Sequence, residues 1–599
     1  MKKRMIIIGI LILVGLGALT GQLVRIQLIE TEHYSTKNIN LLQNSVKQRV
    51  EEITLDNGRG GFLDRTGQPL SYTEKSVLVM FPFVKHLQWP SNKVSAILGV
   101  DEASLREALK KENKPFIYED MDNKELSEEQ IKQINELHIP GIIAVNKRFA
   151  MNQPLASHLI GTLTLNKDEI DMVNEKGINQ VNYQTKVGRN GLEKSFEDFL
   201  HGEGSKRLVY HKAANGLPLF GVDIRYIDEN QRGDRINIQT TIDRDYQELA
   251  EKTAELNGIK NGGVVLLDIE SNDVLAMVSK PEKNPDSYED RGNLNQMIIP
   301  QVPGSVFKTV IAAAAIEEGL SLDRVFDGNV DHLDRPVDER SGRLLGSVNF
   351  QQGFALSSNQ VFGRLGRELA QKDPNLIEVY AEKLGLLSKA GWEGDVFHTH
   401  IKQLSEEKPG IVWSEENIKK DLNYVANTSI GQMNVKISPL AIANMMATIA
   451  RGGDRKMVRA ASKAVDENGL TIASFQSQKA DGSSISSVTA SKLQELLRGV
   501  VTTTGQYSTA GNLHTAKYEV AGKSGTAEIG KKEEKSEQQY NKWFAGYFPF
   551  KEPKYALVVV NLGVQENSGS VNPTYLQMVN GIYEINQKRK LAESVMSER

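Results

Sequence analysis

The stretch PGSVFKTVIAAAAIEEG, residues 303–319, holds one charge where apolar character runs on every side. Pro303-Gly304 ahead of Ser305 and Gly319 after Glu318 are helix start and stop signals, so the spacing predicts a helix from Ser305 to Glu318. Val306, Phe307, Val310, Ile311, Ala312 to Ala315 and Ile316 leave that helix no broad polar face. It is therefore expected to be buried, with Lys308 in its first turn. A buried ammonium is costly unless it is paired or loses its proton, and desolvation lowers a lysine pKa. Ser305 lies one turn earlier on the same face, so the pair reads as a hydroxyl nucleophile beside a basic amine at a helix N-terminus. The alternative is that Ser305 caps the helix and Lys308 snorkels to a cleft. Taken alone, Ser-x-x-Lys arises by chance about once or twice in a chain this long.

The rest of the chain narrows the choice. With 599 residues it is too long for one core, so two or three folded units are expected. A net charge of -4 argues against nucleic acid as a partner, and the absence of cysteine excludes disulfides, thiolate metal sites and a cysteine nucleophile. Lys2, Lys3 and Arg4 precede an apolar run from Met5 to Val24 that is long enough to span a bilayer. Residues 1–24 are thus expected to form a cytoplasmic tip and a single-pass anchor, placing the remainder outside. A cleaved signal peptide is the rival reading. The run is long for one, no small-x-small site follows it, and no lipobox cysteine is present.

From 25 to 235 the chain is charged and broken by turns, which predicts an extended mixed module. In it, Arg59 to Tyr72 reads as strand, turn and strand, Ser127 to His138 as a short helix, and Leu192 to Leu200 as another. Residues 236–586 read differently. A helix capped by Asp243 or Thr241 leads into two apolar runs that flank a turn at Glu270 to Asp273, and three more strands follow near Lys523, Trp543 and Val558. Helices fill the interval, including Pro439 to Ala450 and Ser491 to Val501. The expected fold is α+β, an antiparallel five-stranded sheet closed by distant segments and covered by helices. Residues 587–599 read as a polar, frayed tail.

Two further stretches weigh on the Ser305 question. FALSSNQVFGRLG places Ser357, Ser358 and Asn359 after an apolar segment, and VAGKSGTAE places Lys523, Ser524, Gly525 and Thr526 on a strand. Ser305-x-x-Lys308, Ser357-x-Asn359 and Lys523-Ser524-Gly525 are, in order, the three motifs of the penicillin-recognising serine enzymes, a combination far more specific than any one of them. RGGFLDRTGQPL, RFAMNQPLASHLIGTL and GLEKSFEDFLHG are similar to landmarks of a pedestal module. TTIDRDYQ, SIGQMNVKISPLAIANMMATIARGG and WFAGYFPFKEPKYALVVV are similar to landmarks of the transpeptidase domain. Over nearly its whole length the chain resembles a class B penicillin-binding protein, a membrane-anchored, monofunctional D,D-transpeptidase of the bacterial cell wall.

The resemblance implies a role for each matching residue. Ser305 attacks the carbonyl between the two terminal D-alanines of a stem peptide. Lys308 takes its proton, Ser357 relays a proton to the departing amine, and Asn359 orients Lys308 and contacts the substrate amide. Lys523 sets the electrostatics around Ser357, while Ser524 and Thr526 bind the substrate carboxylate. Gly525 leaves room for close approach, and the backbone N–H groups of Ser305 and Thr526 form the oxyanion hole. Expected partners are a D-Ala-D-Ala donor, an amine acceptor, β-lactams and a membrane glycosyltransferase, with no cofactor, metal or nucleic acid. The chain departs from the family pattern at Ser524, where threonine is common, at Gly61-Phe62, and at Thr66.

The same scaffold admits a β-lactam sensor, a non-catalytic scaffold or a β-lactamase as other outcomes. Other sites fare worse. A P-loop reading of Gly522-Lys523-Ser524 needs glycine at Lys517, His398-x-His400 lacks a third ligand at familiar spacing, and His158 reads as structural. FEDFLHG only faintly echoes a glycosyltransferase motif, and Lys531 to Lys535 reads as a solvated loop.

Overall fold

The computed structural model of the chain describes residues 2–31, 50–118, 125–151, 154–165, 186–202, 204–213, 218, 224–228, 235–283, 293–337, 343–531 and 537–597. The apolar N-terminal run forms helix α1 (Lys2–Val24). Continued by the π-helical turn Arg25–Ile29, it gives a helical stretch of 24 residues over Ile6–Ile29, long and apolar enough to cross a membrane.

The chain divides into two compact units. One comprises Met1–Arg59, Thr73–Ala150 and Gly202–Gly233, and the other Gly60–Tyr72, Met151–His201 and Asp234–Arg599. In the first unit the strand Val50–Asp56 pairs antiparallel with Lys206–His211, bringing two distant stretches together. Phe81, Phe83 and Tyr210 pack in its core with ring centroids 4.9–6.0 Å apart. Its helix Glu128–Glu136 starts where a capping box predicts, with the Ser127 hydroxyl accepting from Gln130 N and the Gln130 side chain accepting from Ser127 N.

The second unit holds the antiparallel sheet. Helix α2 (Arg244–Leu256) is capped by Asp243, whose carboxylate accepts from Tyr246 N. Strands β1 (Gly262–Asp268) and β2 (Val274–Lys280) form the expected hairpin. Helices α3 (Lys308–Glu317), α4 (Phe350–Ala355), α5 (Asn359–Lys372), α6 (Pro439–Ala450) and α7 (Ser487–Thr502) follow. Then come β3 (Ala521–Lys531), β4 (Gln538–Phe548), β5 (Tyr555–Val564) and helix α8 (Asn572–Ser597). The strand order is β2-β1-β5-β4-β3, so the first two strands pair with the last three across the whole helical interval. Continuous apolar runs in β1 and β5 fit a sheet covered on both faces, and nearly every residue of both is buried.

Three local expectations change. The Leu192 to Leu200 helix is two short pieces, Gly191–Ser195 and Glu197–Leu200, interrupted at Phe196, whose ring is buried against Phe199 and Phe475. Helix α3 begins at Lys308 rather than Ser305, because Gly304–Phe307 winds as a 3₁₀ turn. The polar tail is helical through Ser597. Its anchor is Arg589, which donates to Asp243 Oδ2 at 2.8 Å, to Asp243 Oδ1 at 2.7 Å and to Asp245 Oδ2 at 2.6 Å. A charge-assisted fork on a buried carboxylate supplies order that composition does not reveal. The segment 532–535 lies outside the described residues.

Because Asp243 is buried and Arg589 only partly so, Arg589→Ala is expected to cost about 1–2 kcal/mol. Thermal unfolding should show a drop of a few degrees in Tm, and truncation before residue 587 should show at least as much.

Candidate active site

Why Ser305 sits on a tight turn is a matter of glycine. Gly304 has φ +57° and its N–H donates to Gly431 O at 3.0 Å. A Cβ on Gly304 would lie 2.4 Å from Thr526 O, and one on Gly431 would lie 1.8 Å from Gly304 O. Only glycine lets the 3₁₀ turn, the 429–431 loop and strand β3 approach this closely. The turn is held from the sheet side too, as Trp543 Nε1 donates to Val302 O at 3.0 Å. Gly525 completes the fit, since a Cβ there would meet Pro303 O at 2.6 Å and Val306 Cγ2 at 2.9 Å. Gly304, next to Ser305 on the turn, is thereby packed against Thr526 on β3, the edge strand of the sheet.

Lys308 is fully buried at 0% exposure. Its Nζ donates to Ser357 O at 2.8 Å and Asn359 Oδ1 at 2.6 Å, and lies 3.3 Å from Ser357 Oγ. The Phe362 ring covers it, 5.8 Å from Nζ. Among the described residues these are its hydrogen-bond partners, and the Ser305 hydroxyl is not one of them. Burial, with repulsion from Lys523 and Arg343 added, holds the Lys308 ammonium well below the ordinary lysine range. Three oxygens thus surround Nζ, and burial makes this lysine readier than a free one to give up its charge and serve as a proton acceptor.

Lys523, equally buried, approaches Ser357 from β3. Its Nζ donates to Ser357 Oγ at 2.8 Å and to Ser524 O at 3.2 Å. Burial, and then the charge of Arg343, push it down to about 7. The Ser357 hydroxyl thus bridges two lysines from different elements. Ser357 can do so because its backbone is left-handed, with φ +57°. Helix α4 ends there in a Schellman motif, Ser358 N donating to Gly353 O at 2.7 Å and Ser357 N to Phe354 O at 3.1 Å, with serine where glycine is usual. The next residue, Ser358, caps α5 by accepting from Val361 N. A strained non-glycine turn at a polar cluster is the kind of cost that functional sites carry.

Each motif residue has its place. Ser305 is half-buried on the 3₁₀ turn, Asn359 is exposed at the start of α5, Ser524 is half-buried, Gly525 is buried and Thr526 is exposed. A cleft of about 270 Å³ runs beside Ser357 and Asn359, lined also by His332, Arg343 and Gln360. No spacing motif singled out those three. His332 is held to Asn427 Oδ1 at 3.0 Å. The only sequence signal for Arg343 is a cation in an otherwise neutral SGRLLG stretch. Away from the cleft, His400 faces Asp395 Oδ1 at 2.8 Å across a hairpin, and His158 is buried.

Residues 262–580 match the family model of the penicillin binding protein transpeptidase domain, and residues 54–238 match that of the penicillin-binding protein dimerisation domain. The chain belongs to the penicillin-binding proteins, with the two-domain arrangement of class B. Among similar proteins, Stage V sporulation protein D of Bacillus subtilis is 25% identical, covering 86% of this chain and 75% of its own. Peptidoglycan D,D-transpeptidase MrdA of Escherichia coli is 22% identical over 94% of this chain and 90% of its own. The fold is also that of a chain in a solved peptidoglycan synthase complex, with TM-score 0.62 and 20% identity over 96% of this chain and 98% of that one.

Burying Lys523 costs folding free energy. Its folded pKa lies below its unfolded value, so folding expels a proton between about pH 7 and the ordinary lysine range, and the penalty grows as pH falls through that window. Lys523→Met is therefore expected to raise Tm by several degrees at pH 7 and by progressively less toward pH 10. Paired thermal melts of the two proteins across that range check it.

Proposed function

We propose that the protein is a peptidoglycan D,D-transpeptidase that works through an acyl-enzyme on Ser305. The observation that carries this reading is the hydrogen-bonded chain from Lys308 through Ser357 to Lys523, two buried lysines converging on one hydroxyl beside the Ser305 turn.

Ser305 Oγ attacks the carbonyl carbon between the terminal D-alanines of a stem peptide, and its proton passes to the Lys308 lone pair. Asn359 Oδ1 and Ser357 O hold the amine in that orientation. The oxyanion forms against the backbone N–H groups of Ser305 and Thr526, which the Gly304 and Gly525 contacts draw together. Collapse breaks the C–N bond. The leaving D-alanine amine takes a proton relayed from Lys308 through Ser357 Oγ, with Lys523 fixing that hydroxyl. Ser524 and Thr526 present hydroxyls to the terminal carboxylate, and the positive charge nearby suits that anion. The amine of a second stem peptide then attacks the ester, giving up its proton along the same route and freeing Ser305. Because β3 is an edge strand, an extended peptide can lie along it as an added strand.

A β-lactam places its carbonyl and carboxylate in the same positions and leaves a stable acyl-enzyme. Helix α1 serves as a single-pass anchor, with the cationic tip in the cytoplasm and the catalytic unit outside. A membrane glycosyltransferase that supplies glycan strands is the fitting partner.

Incubation with a fluorescent penicillin should label the wild-type chain with one equivalent and leave Ser305→Ala unlabelled. Persistent turnover of the drug would instead indicate a β-lactamase. Lys308→Arg puts a permanent cation there that cannot act as a base, so the acylation rate should fall by about 100-fold or more. A wild-type rate in that variant would remove Lys308 from the base role.

A further inference from the structure

The centre gathers three basic side chains. Lys308, Lys523 and Arg343 act on one another electrostatically, and among the described residues no carboxylate forms an ion pair with any of them. Asp331, on the wall of the same cleft, is committed elsewhere. It accepts from Arg335 Nε at 2.7 Å and from the backbone N–H groups of Leu333 and Arg335 at 2.8 and 3.0 Å. The other groups facing Lys308 are Ser357 and Asn359, the Phe362 ring, and His332, which feels its charge.

Arg343 is also tied mechanically to the site. Its Nη2 donates to Leu356 O at 3.0 Å and to Tyr507 O at 2.8 Å, and its guanidinium lies 5.0 Å from the centre of the Tyr507 ring. Leu356 is the last right-handed residue before the left-handed turn at Ser357. One guanidinium nitrogen thus joins that turn to the loop after α7 while the planar group lies against the Tyr507 ring, an arrangement that a lysine does not reproduce.

We propose that Arg343 is a positioning residue for acyl transfer, clamping the Ser357 turn to the Tyr507 loop and supplying the one permanent charge of a centre whose basic side chains have no carboxylate paired to them among the described residues. This rests on Ser305 being the nucleophile. Lys308 and Lys523 can each lose their charge, whereas the guanidinium keeps its own across the working range. A permanent cation beside two titrating amines favours their free-base forms, so its removal makes Lys308 easier to protonate and a poorer base at a given pH. The clamp acts separately, by limiting how far Ser357 Oγ can drift from the two amines.

The experiment measures the acylation rate of the detergent-solubilised full chain by a fluorescent penicillin from pH 5 to 9, for wild type, Arg343→Gln and Arg343→Lys. Arg343→Gln should move the acid limb to higher pH by about half to one unit, which lowers the rate on that limb by about three- to tenfold. Arg343→Lys should keep the limb in place and lower the plateau severalfold, because it retains the charge and loses the planar group held between Leu356 O, Tyr507 O and the Tyr507 ring. A limb that stays at its wild-type position in Arg343→Gln, whatever the plateau, overturns the electrostatic role. A wild-type plateau in Arg343→Lys overturns the clamp, and that variant carries the test if Arg343→Gln does not fold. Absence of label on the wild-type Ser305 would sink the underlying reading instead, so the two failures are distinct.

Discussion

The unit that holds the site is organised around a lysine with nowhere to put its charge. Lys308 enters a largely apolar helix in the middle of the core, and among the described residues its hydrogen-bond partners are the Ser357 carbonyl and hydroxyl and the Asn359 amide oxygen. None of these is anionic, so the pocket stabilises the ammonium less well than water does and lowers its pKa. That lowering is costly for folding and useful for accepting a proton. The polarity the core tolerates at this point is the polarity that acyl transfer needs.

The surrounding architecture serves to keep that pocket small. The five-stranded sheet is closed by strands from both ends of its unit, which brings β3 beside the 3₁₀ turn that carries Ser305. Glycines at 304, 431 and 525 permit backbone approaches that any Cβ would block. The left-handed turn at Ser357 then aims one hydroxyl between two lysines that lie more than two hundred residues apart in the chain. Packing that leaves both amines at 0% exposure limits how much water can relieve their desolvation.

Much of this was legible in the residues. The hairpin at 262–280, the three late strands, helix α6 and the burial of the 303–319 segment all follow from apolar periodicity and turn chemistry. What pattern reading missed was set by contacts distant in sequence. A fourteen-residue helix was expected from Ser305, yet its first turn is 3₁₀, because Gly304 must fit against Thr526 and Gly431. A frayed tail was expected after 586, yet Arg589 finds Asp243 and the helix runs on. Arg343 escaped notice because its partners are carbonyls at 356 and 507, and carbonyls leave no trace in a side-chain motif.

By itself the sequence determined the chemistry on offer: a serine and a lysine one turn apart, a second serine with an asparagine, and a lysine ahead of a hydroxyl and a glycine, in an order that few chains share. Side-chain type and local spacing are written directly in the chain, and so is the apolar run long enough for a bilayer. Only the tertiary structure decided that Lys308 bonds to Ser357 and Asn359 rather than to Ser305, that Lys523 meets the same hydroxyl, and that the charge of Arg343 acts on both. The reason is physical. Desolvation and through-space charge depend on which distant segments close around a group, and that is a property of the packed core rather than of any stretch of residues.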